Sequence, residues 1–201
     1  MSAVNLQQQL SGNNRQLTDF AKDIDKVLIS QDEIAARVTE LGEQISRDYE
    51  GKDLVLVGVL KGSAIFLSDL ARKITVPLSL DFVTISSYGS NSKSSGEVRL
   101  IKDIDESVDS KHVLVVEDII DTGWTLRLSY LEETLLSRNA SSVKICALLD
   151  KPSRREVDVK IDYCGFSIED HYVVGYGMDY NGKYRNLPFI GILKSEIYET
   201  S

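Results

Sequence analysis

Hydrophobic positions along the chain change period at regular intervals, and each change predicts a new element. Ile34, Val38, Leu41, Ile45 and Tyr49 recur at spacings of three to four, the period of a helix with one buried face. Just before them, Ser30-Gln31-Asp32-Glu33 has the form of a capping box, in which serine and glutamate satisfy each other's backbone amides. Leu54 to Leu60 is then apolar and β-branched without alternation, as a strand covered on both faces requires. Ile65 to Ile74 returns to helical spacing, and Leu78 to Ser86 reads as a second strand. A strand at His112 to Val116 leads into a helix whose Leu128, Leu131 and Leu135 share a face, and Val143 to Leu149 forms the next strand. Strand, helix, strand in this rhythm means parallel pairing with right-handed crossovers, so the expected class is α/β, with a central mostly parallel sheet flanked by helices.

The polar stretches complete the outline. Residues 1–22 carry Gln7-Gln8-Gln9 and Ser11-Gly12-Asn13-Asn14 and bury too little apolar surface to offset ordering entropy, so they read as a disordered tail before a single domain at 23–201. Ser86 to Gly96 is rich in Ser, Gly and Asn and reads as a mobile loop, from which Val98 to Ile101 returns as a hairpin arm. Ile161 to Leu193 holds shorter extended runs, such as Tyr172 to Tyr176, broken by Gly175, Gly177 and Gly182. They suit a small lobe, or hood, built from the chain ends.

Composition narrows the partners. With 23 Lys and Arg against 31 Asp and Glu the net charge is -8, a field that repels nucleic acid and acidic membrane surfaces. No stretch approaches the roughly 18 apolar residues of a membrane span, and no basic segment with an apolar core opens the chain. A cytoplasmic protein is expected. Cys146 and Cys164 lie in apolar runs as buried free thiols, without a disulfide or zinc pattern.

Chemistry concentrates at Val113-Leu114-Val115-Val116-Glu117-Asp118-Ile119-Ile120-Asp121-Thr122-Gly123-Trp124-Thr125. Ligands of open parallel sheets collect where strands end, and this strand ends in Glu117 and Asp118, with Asp121 close behind. Gly123 permits a tight turn, and the amides of that turn and of the following helix converge on one spot suited to a phosphate, with Thr122 and Thr125 as hydroxyl donors. Carboxylates beside a phosphate cradle need a ligand that brings hydroxyls, a proton or a metal; a phosphorylated ribose with magnesium brings all of these. The bland alternative is that Glu117 and Asp118 merely end a strand while Asp121 caps a helix.

This segment resembles the phosphoribosyl pyrophosphate signature of the type I phosphoribosyltransferases, and Glu117 to Gly123 is similar in wording to their hypoxanthine-guanine branch in its bacterial form. The resemblance runs from about Asp25 to about Tyr198 and includes Gly58-Val59-Leu60-Lys61-Gly62, Ser86-Ser87-Tyr88-Gly89, Leu149-Asp150-Lys151-Pro152 and Val173-Val174-Gly175-Tyr176-Gly177-Met178-Asp179-Tyr180. It implies the type I phosphoribosyltransferase fold. It also implies that Glu117, Asp118, Asp121, Thr122, Gly123, Trp124 and Thr125 bind the ribose and its 5′-phosphate, with Asp121 taking a proton from the purine. Lys61, Gly62, Ser87, Tyr88 and Arg185 would bind pyrophosphate, with a cis peptide between Leu60 and Lys61 and a closing loop at Ser87 and Tyr88. Lys151, Tyr172, Val173 and Asp179 would bind the purine, and Glu117, Asp118 and Asp179 a Mg2+ ion. On spacing alone, Lys61 reads as a solvated strand-end lysine, Tyr172 as ordinary core, and Asp179 and Arg185 as loop charges.

Two positions depart from the family pattern. Trp124 stands where relatives often have a basic or small residue, and Tyr172 where many have phenylalanine. The activity implied is purine salvage from phosphoribosyl pyrophosphate and a 6-oxopurine, by a homodimer or homotetramer. The competing expectation is a regulatory protein that senses phosphoribosyl pyrophosphate and binds nucleic acid. The acidic balance and the base-recognition set weigh against it.

Overall fold

The computed structural model describes residues 22–87, 98–121, 125–154 and 160–199. All but the last residue of the expected tail, and most of the Ser/Gly/Asn-rich loop, lie outside them. The elements follow in the order β1 (Ile24–Ile29), α1 (Gln31–Asp48), β2 (Leu54–Val59), α2 (Ala64–Ala71), β3 (Leu78–Ser87), β4 (Val98–Lys102), β5 (His112–Ile120), α3 (Thr125–Ser137), β6 (Ser142–Asp150), β7 (Tyr163–Ser167), β8 (Val173–Val174), β9 (Ile190–Leu193) and α4 (Ser195–Tyr198).

The capping box forms as the sequence predicts. The Ser30 amide and hydroxyl donate to Glu33 Oε2 at 2.9 and 2.7 Å, and the Glu33 amide donates back to Ser30 Oγ at 3.3 Å. The serine bonds also hold the Glu33 carboxyl below its usual range. Every predicted position on the inner face of α1, from Ile34 to Ile45, is buried, as is Tyr49 just past its end.

Residues Val38–Asp170 form one compact unit. Its six-stranded sheet has the order β4-β3-β2-β5-β6-β7. Strands β3, β2, β5, β6 and β7 are parallel, and β4 pairs antiparallel with β3 as the expected hairpin arm. β2 is buried along its whole length, which its unbroken LVLVGV run permits. On one face, Val55, Val57, Val113 and Val115 pack with Leu128, Leu131 and Leu135 of α3. Truncating one of these leucines to alanine costs about 2–5 kcal/mol. Cys146 is a buried free thiol, whereas Cys164, expected to be buried, is half-buried on β7, the outer strand of the sheet.

The described residues up to Arg37 and from His171 onward form the second unit. Its antiparallel sheet has the order β1-β9-β8, with a core of Ile24, Val174, Tyr184, Leu187, Phe189 and Leu193. The extended run expected at Tyr172 to Tyr176 is shorter, only Val173–Val174. Gly175 ends it with a φ of 101°, and a Cβ there would overlap the Phe189 carbonyl oxygen, so the chain turns as only glycine allows.

Candidate active site

Parallel strands end on the same edge, so the residues after β2, β5 and β6 meet at the carboxyl edge of the larger sheet. β2 hands over to α2 through a tight turn. The Leu60–Lys61 peptide is cis, as the resemblance implies. The Leu60 amide donates to Val83 O at 2.8 Å, and Ser63 Oγ donates to Val59 O at 2.7 Å. These bonds leave Lys61 exposed while Gly62 and Ser63 are buried. Gly62 lies directly against Asp118: a Cβ built on the glycine would overlap the carboxylate.

β5 corrects the sequence reading. The strand expected from His112, ending in the paired carboxylates Glu117 and Asp118, runs on to Ile120 because Glu117, Ile119 and Ile120 keep pairing with Ala147, Leu149 and Asp150 of β6. Glu117 and Asp118 therefore lie within the strand rather than at its end. Successive strand side chains alternate faces, and the two carboxylates diverge accordingly. Asp118 meets Gly62, whereas Glu117 is fully buried, and neither of its oxygens accepts a hydrogen bond among the described residues. Burial above all, then the Asp118 charge, pushes the Glu117 carboxyl well above the usual range, against a smaller pull from Arg127.

Asp121 is the first residue past β5 and is half-buried. Thr122, Gly123 and Trp124 lie outside the described residues, and Thr125 is described only as the backbone that opens α3. Tyr88 is likewise outside, and Ser87 is placed only as the last residue of β3, opposite Val98. Lys151 follows β6, and its amide donates to Ile120 O at 3.1 Å, which sets it one residue from Asp121 across the strand pair. Its side chain is buried, with the ammonium 3.7 Å from Asp170. Asp170 was not singled out in the sequence. It lies beyond β7 without a motif around it, and only the fold brings it to Lys151.

The smaller unit places the other expected residues. Tyr172 is 40% exposed, so it is not the ordinary core residue that spacing alone would make it. Val173 is buried in β8, paired with Ile192. Asp179 and Arg185 come together: Arg185 Nη2 is 2.5 Å from Asp179 Oδ1, and its other terminal nitrogen donates to Gly177 O. Asp179 Oδ2 accepts from the Gly182 amide at 2.8 Å, which closes the turn beneath the pair. Among the described residues, no group of three or more His, Cys, Asp or Glu could hold a metal ion.

A parallel sheet with carboxylates and an ammonium gathered at its carboxyl edge, where open parallel sheets bind their ligands, defines an α/β protein. More narrowly, the chain belongs to the phosphoribosyl transferase domain family, whose sequence profile matches residues 29–181. It is 51% identical over 178 residues to the hypoxanthine-guanine phosphoribosyltransferase of Bacillus subtilis, spanning 89% of this chain and 98% of that one. It is also 52% identical over 176 residues to the bifunctional protein TilS/HprT of Listeria monocytogenes, covering 88% of this chain but only 27% of that longer protein. A crystal structure of a hypoxanthine phosphoribosyltransferase from Staphylococcus aureus superposes with a TM-score of 0.85 at 47% identity, over 92% of this chain and 98% of that one.

Proposed function

We propose that this chain is a purine salvage enzyme that transfers 5-phosphoribosyl from phosphoribosyl pyrophosphate to hypoxanthine and guanine, giving IMP or GMP and pyrophosphate. The observation that carries this reading is the bond from the Lys151 amide to Ile120 O, which makes Lys151 a neighbour of Asp121. Oxygen 6 and nitrogen 7 of a 6-oxopurine share one edge of the base, so the groups that serve them must be adjacent. An ammonium donates to the oxygen but cannot accept from the amine of adenine. Asp121 accepts the proton of nitrogen 7 as nitrogen 9 bonds to the anomeric carbon and the bond from that carbon to pyrophosphate breaks.

The sugar carbon becomes cation-like as this bond stretches, and the leaving group gathers charge. Lys61, exposed on its turn, and Arg185 are the cations that stabilise the pyrophosphate. Asp118 accepts from the ribose hydroxyls, and Tyr172 offers its face to the base. Carboxylates among Glu117, Asp118 and Asp179 would hold a divalent ion, which we take to be Mg2+, and the ion would neutralise the charge gathering on the pyrophosphate. Mg2+ keeps several waters and takes one or two carboxylates beside phosphate oxygens, so it would not need all three of these side chains at once. No helix among the described residues is long and apolar enough to cross a membrane. We place the reaction in the cytoplasm, in a homodimer or homotetramer. The net charge of -8 disfavours the alternative of a nucleic-acid-binding sensor.

The test is turnover with phosphoribosyl pyrophosphate and each of hypoxanthine, guanine and adenine, followed by ultraviolet absorbance with and without magnesium. Nucleotide formation from both oxopurines, strongly magnesium-dependent and negligible with adenine, is the expected outcome. Efficient use of adenine would overturn the role of Lys151.

A further inference from the structure

A side chain that must stack on a ligand loses rotamer freedom on binding, and the loss is smaller where the protein has already fixed its plane. Tyr172 is 40% exposed, yet two other tyrosines hold it. The Tyr198 ring lies nearly parallel to it, with centroids 4.8 Å apart and planes 20° apart. Tyr180 meets it edge-on at 5.5 Å and 87°. Both geometries are favourable arrangements of the ring quadrupoles.

The supporting rings are themselves anchored. The Tyr180 hydroxyl donates to Ile197 O at 3.1 Å. The α4 turn is closed by Ile197 N to Lys194 O at 3.0 Å and Glu199 N to Ser195 O at 2.9 Å, and Leu193 N donates to Tyr172 O at 2.8 Å. Tyr180, Ile197 and Tyr198 all pack on the core of the smaller unit. One face of Tyr172 is therefore taken by a ring fixed to the core, and the exposed face is the one left for a base.

We propose that Tyr198 is a positioning residue for purine binding: it backs Tyr172 so that base, Tyr172 and Tyr198 form one stack, and the last helical turn of the chain thereby sets the affinity for the base. This rests on the reading of Tyr172 as the stacking residue. A stacked aromatic pair carries enough energy that losing Tyr198 should raise KM for hypoxanthine about two- to tenfold. Neither KM for phosphoribosyl pyrophosphate nor kcat should change by more than about twofold, because the ring touches neither the sugar nor the reacting atoms.

The experiment compares Tyr198→Ala, Tyr198→Leu, Tyr198→Phe and Tyr172→Ala, with the double variant Tyr172→Ala/Tyr198→Ala. Leucine keeps buried volume without a stack, so it serves if the alanine variant fails to fold. Phenylalanine should restore KM for hypoxanthine. The double variant should be no worse for the base than Tyr172→Ala alone, as expected of a residue acting through another. If Tyr172→Ala raises KM for hypoxanthine while the alanine and leucine variants at 198 leave it unchanged, the inference fails and the reading of Tyr172 stands. A lower KM in those variants would also overturn it, since Tyr198 would then be covering the base's own face. An unchanged KM in Tyr172→Ala would overturn both.

Discussion

The carboxylate of Asp118 rests against the α-carbon of Gly62, close enough that even a methyl group on the glycine would overlap it. Asp118 comes from a central strand of the sheet and Gly62 from the turn that carries Lys61, so the contact ties the strand proposed to bind the ribose to the turn proposed to bind pyrophosphate. Asp118 has a short side chain and is 7% exposed, which leaves it little room to yield. Gly62→Ala should therefore cost about 1–3 kcal/mol of stability, as overpacking does. It should also raise KM for phosphoribosyl pyrophosphate more than KM for hypoxanthine, and steady-state kinetics with each substrate varied in turn checks this. Equal rises in both constants would mean a general loss of fold.

Asp121→Asn isolates proton transfer. The amide has the same shape as the carboxyl but cannot accept the nitrogen 7 proton, so kcat should fall by about 10²–10⁴. The dissociation constant for IMP should change much less, because the product has already lost that proton. Single-turnover rates beside equilibrium titration separate the two quantities. An equal turnover in the variant would remove Asp121 from the role of base.

The local features were the legible ones. Helical spacing gave the buried face of α1, and the capping box before it formed with the bonds its letters imply. Strand β5 was read too short because carboxylates look like strand ends. A ladder is made by backbone groups, however, and Ile119 and Ile120 continue it to Leu149 and Asp150 whatever the side chains between. The motif carried Asp121 and Lys151 as candidates without showing that they are neighbours, which needed the β5–β6 register. Contacts such as Gly62 with Asp118, Lys151 with Asp170, and Tyr172 with Tyr198 join segments far apart in sequence. No periodicity encodes these.

Asp81 is another residue that local sequence did not mark. It is buried in β3, where Oδ1 accepts from its neighbour Phe82 N at 2.7 Å and Oδ2 from Asp105 N and Glu106 N at 2.7 and 3.2 Å, with Lys102 Nζ at 3.6 Å. Burial raises its carboxyl, but the three amides and Lys102 together outweigh that, and the net shift is downward from the ordinary 3.8. A folded-state value below the unfolded one gives stability that is present above the unfolded value and lost as pH falls through the folded one. Asp81→Asn should thus cost about 1.5–3 kcal/mol at pH 7, the range for hydrogen bonds to a charged group. The difference from the parent should shrink below about pH 4. Urea unfolding at both pH values checks it, and a pH-independent difference would show that the charge is not what matters.

Glu117 has the opposite sign. Its carboxyl is fully buried without a hydrogen-bond partner among the described residues, and its folded-state value is raised, chiefly by burial and then by Asp118. A raised acid gives stability that is present below the unfolded value and lost as pH rises through the folded one, so near neutrality Glu117 weakens the fold. Glu117→Gln keeps the shape and removes the charge. The variant should melt higher than the parent, by about 2–4 °C for each kcal/mol relieved in a chain of this size. The gain should be larger at pH 8 than at pH 5. If Glu117 is kept for the ribose hydroxyls, the same variant should bind phosphoribosyl pyrophosphate more weakly, a stability gain set against function. Thermal melts at the two pH values and KM for phosphoribosyl pyrophosphate decide both parts. A variant that melts lower at both pH values would mean instead that the Arg127 charge compensates the buried carboxylate.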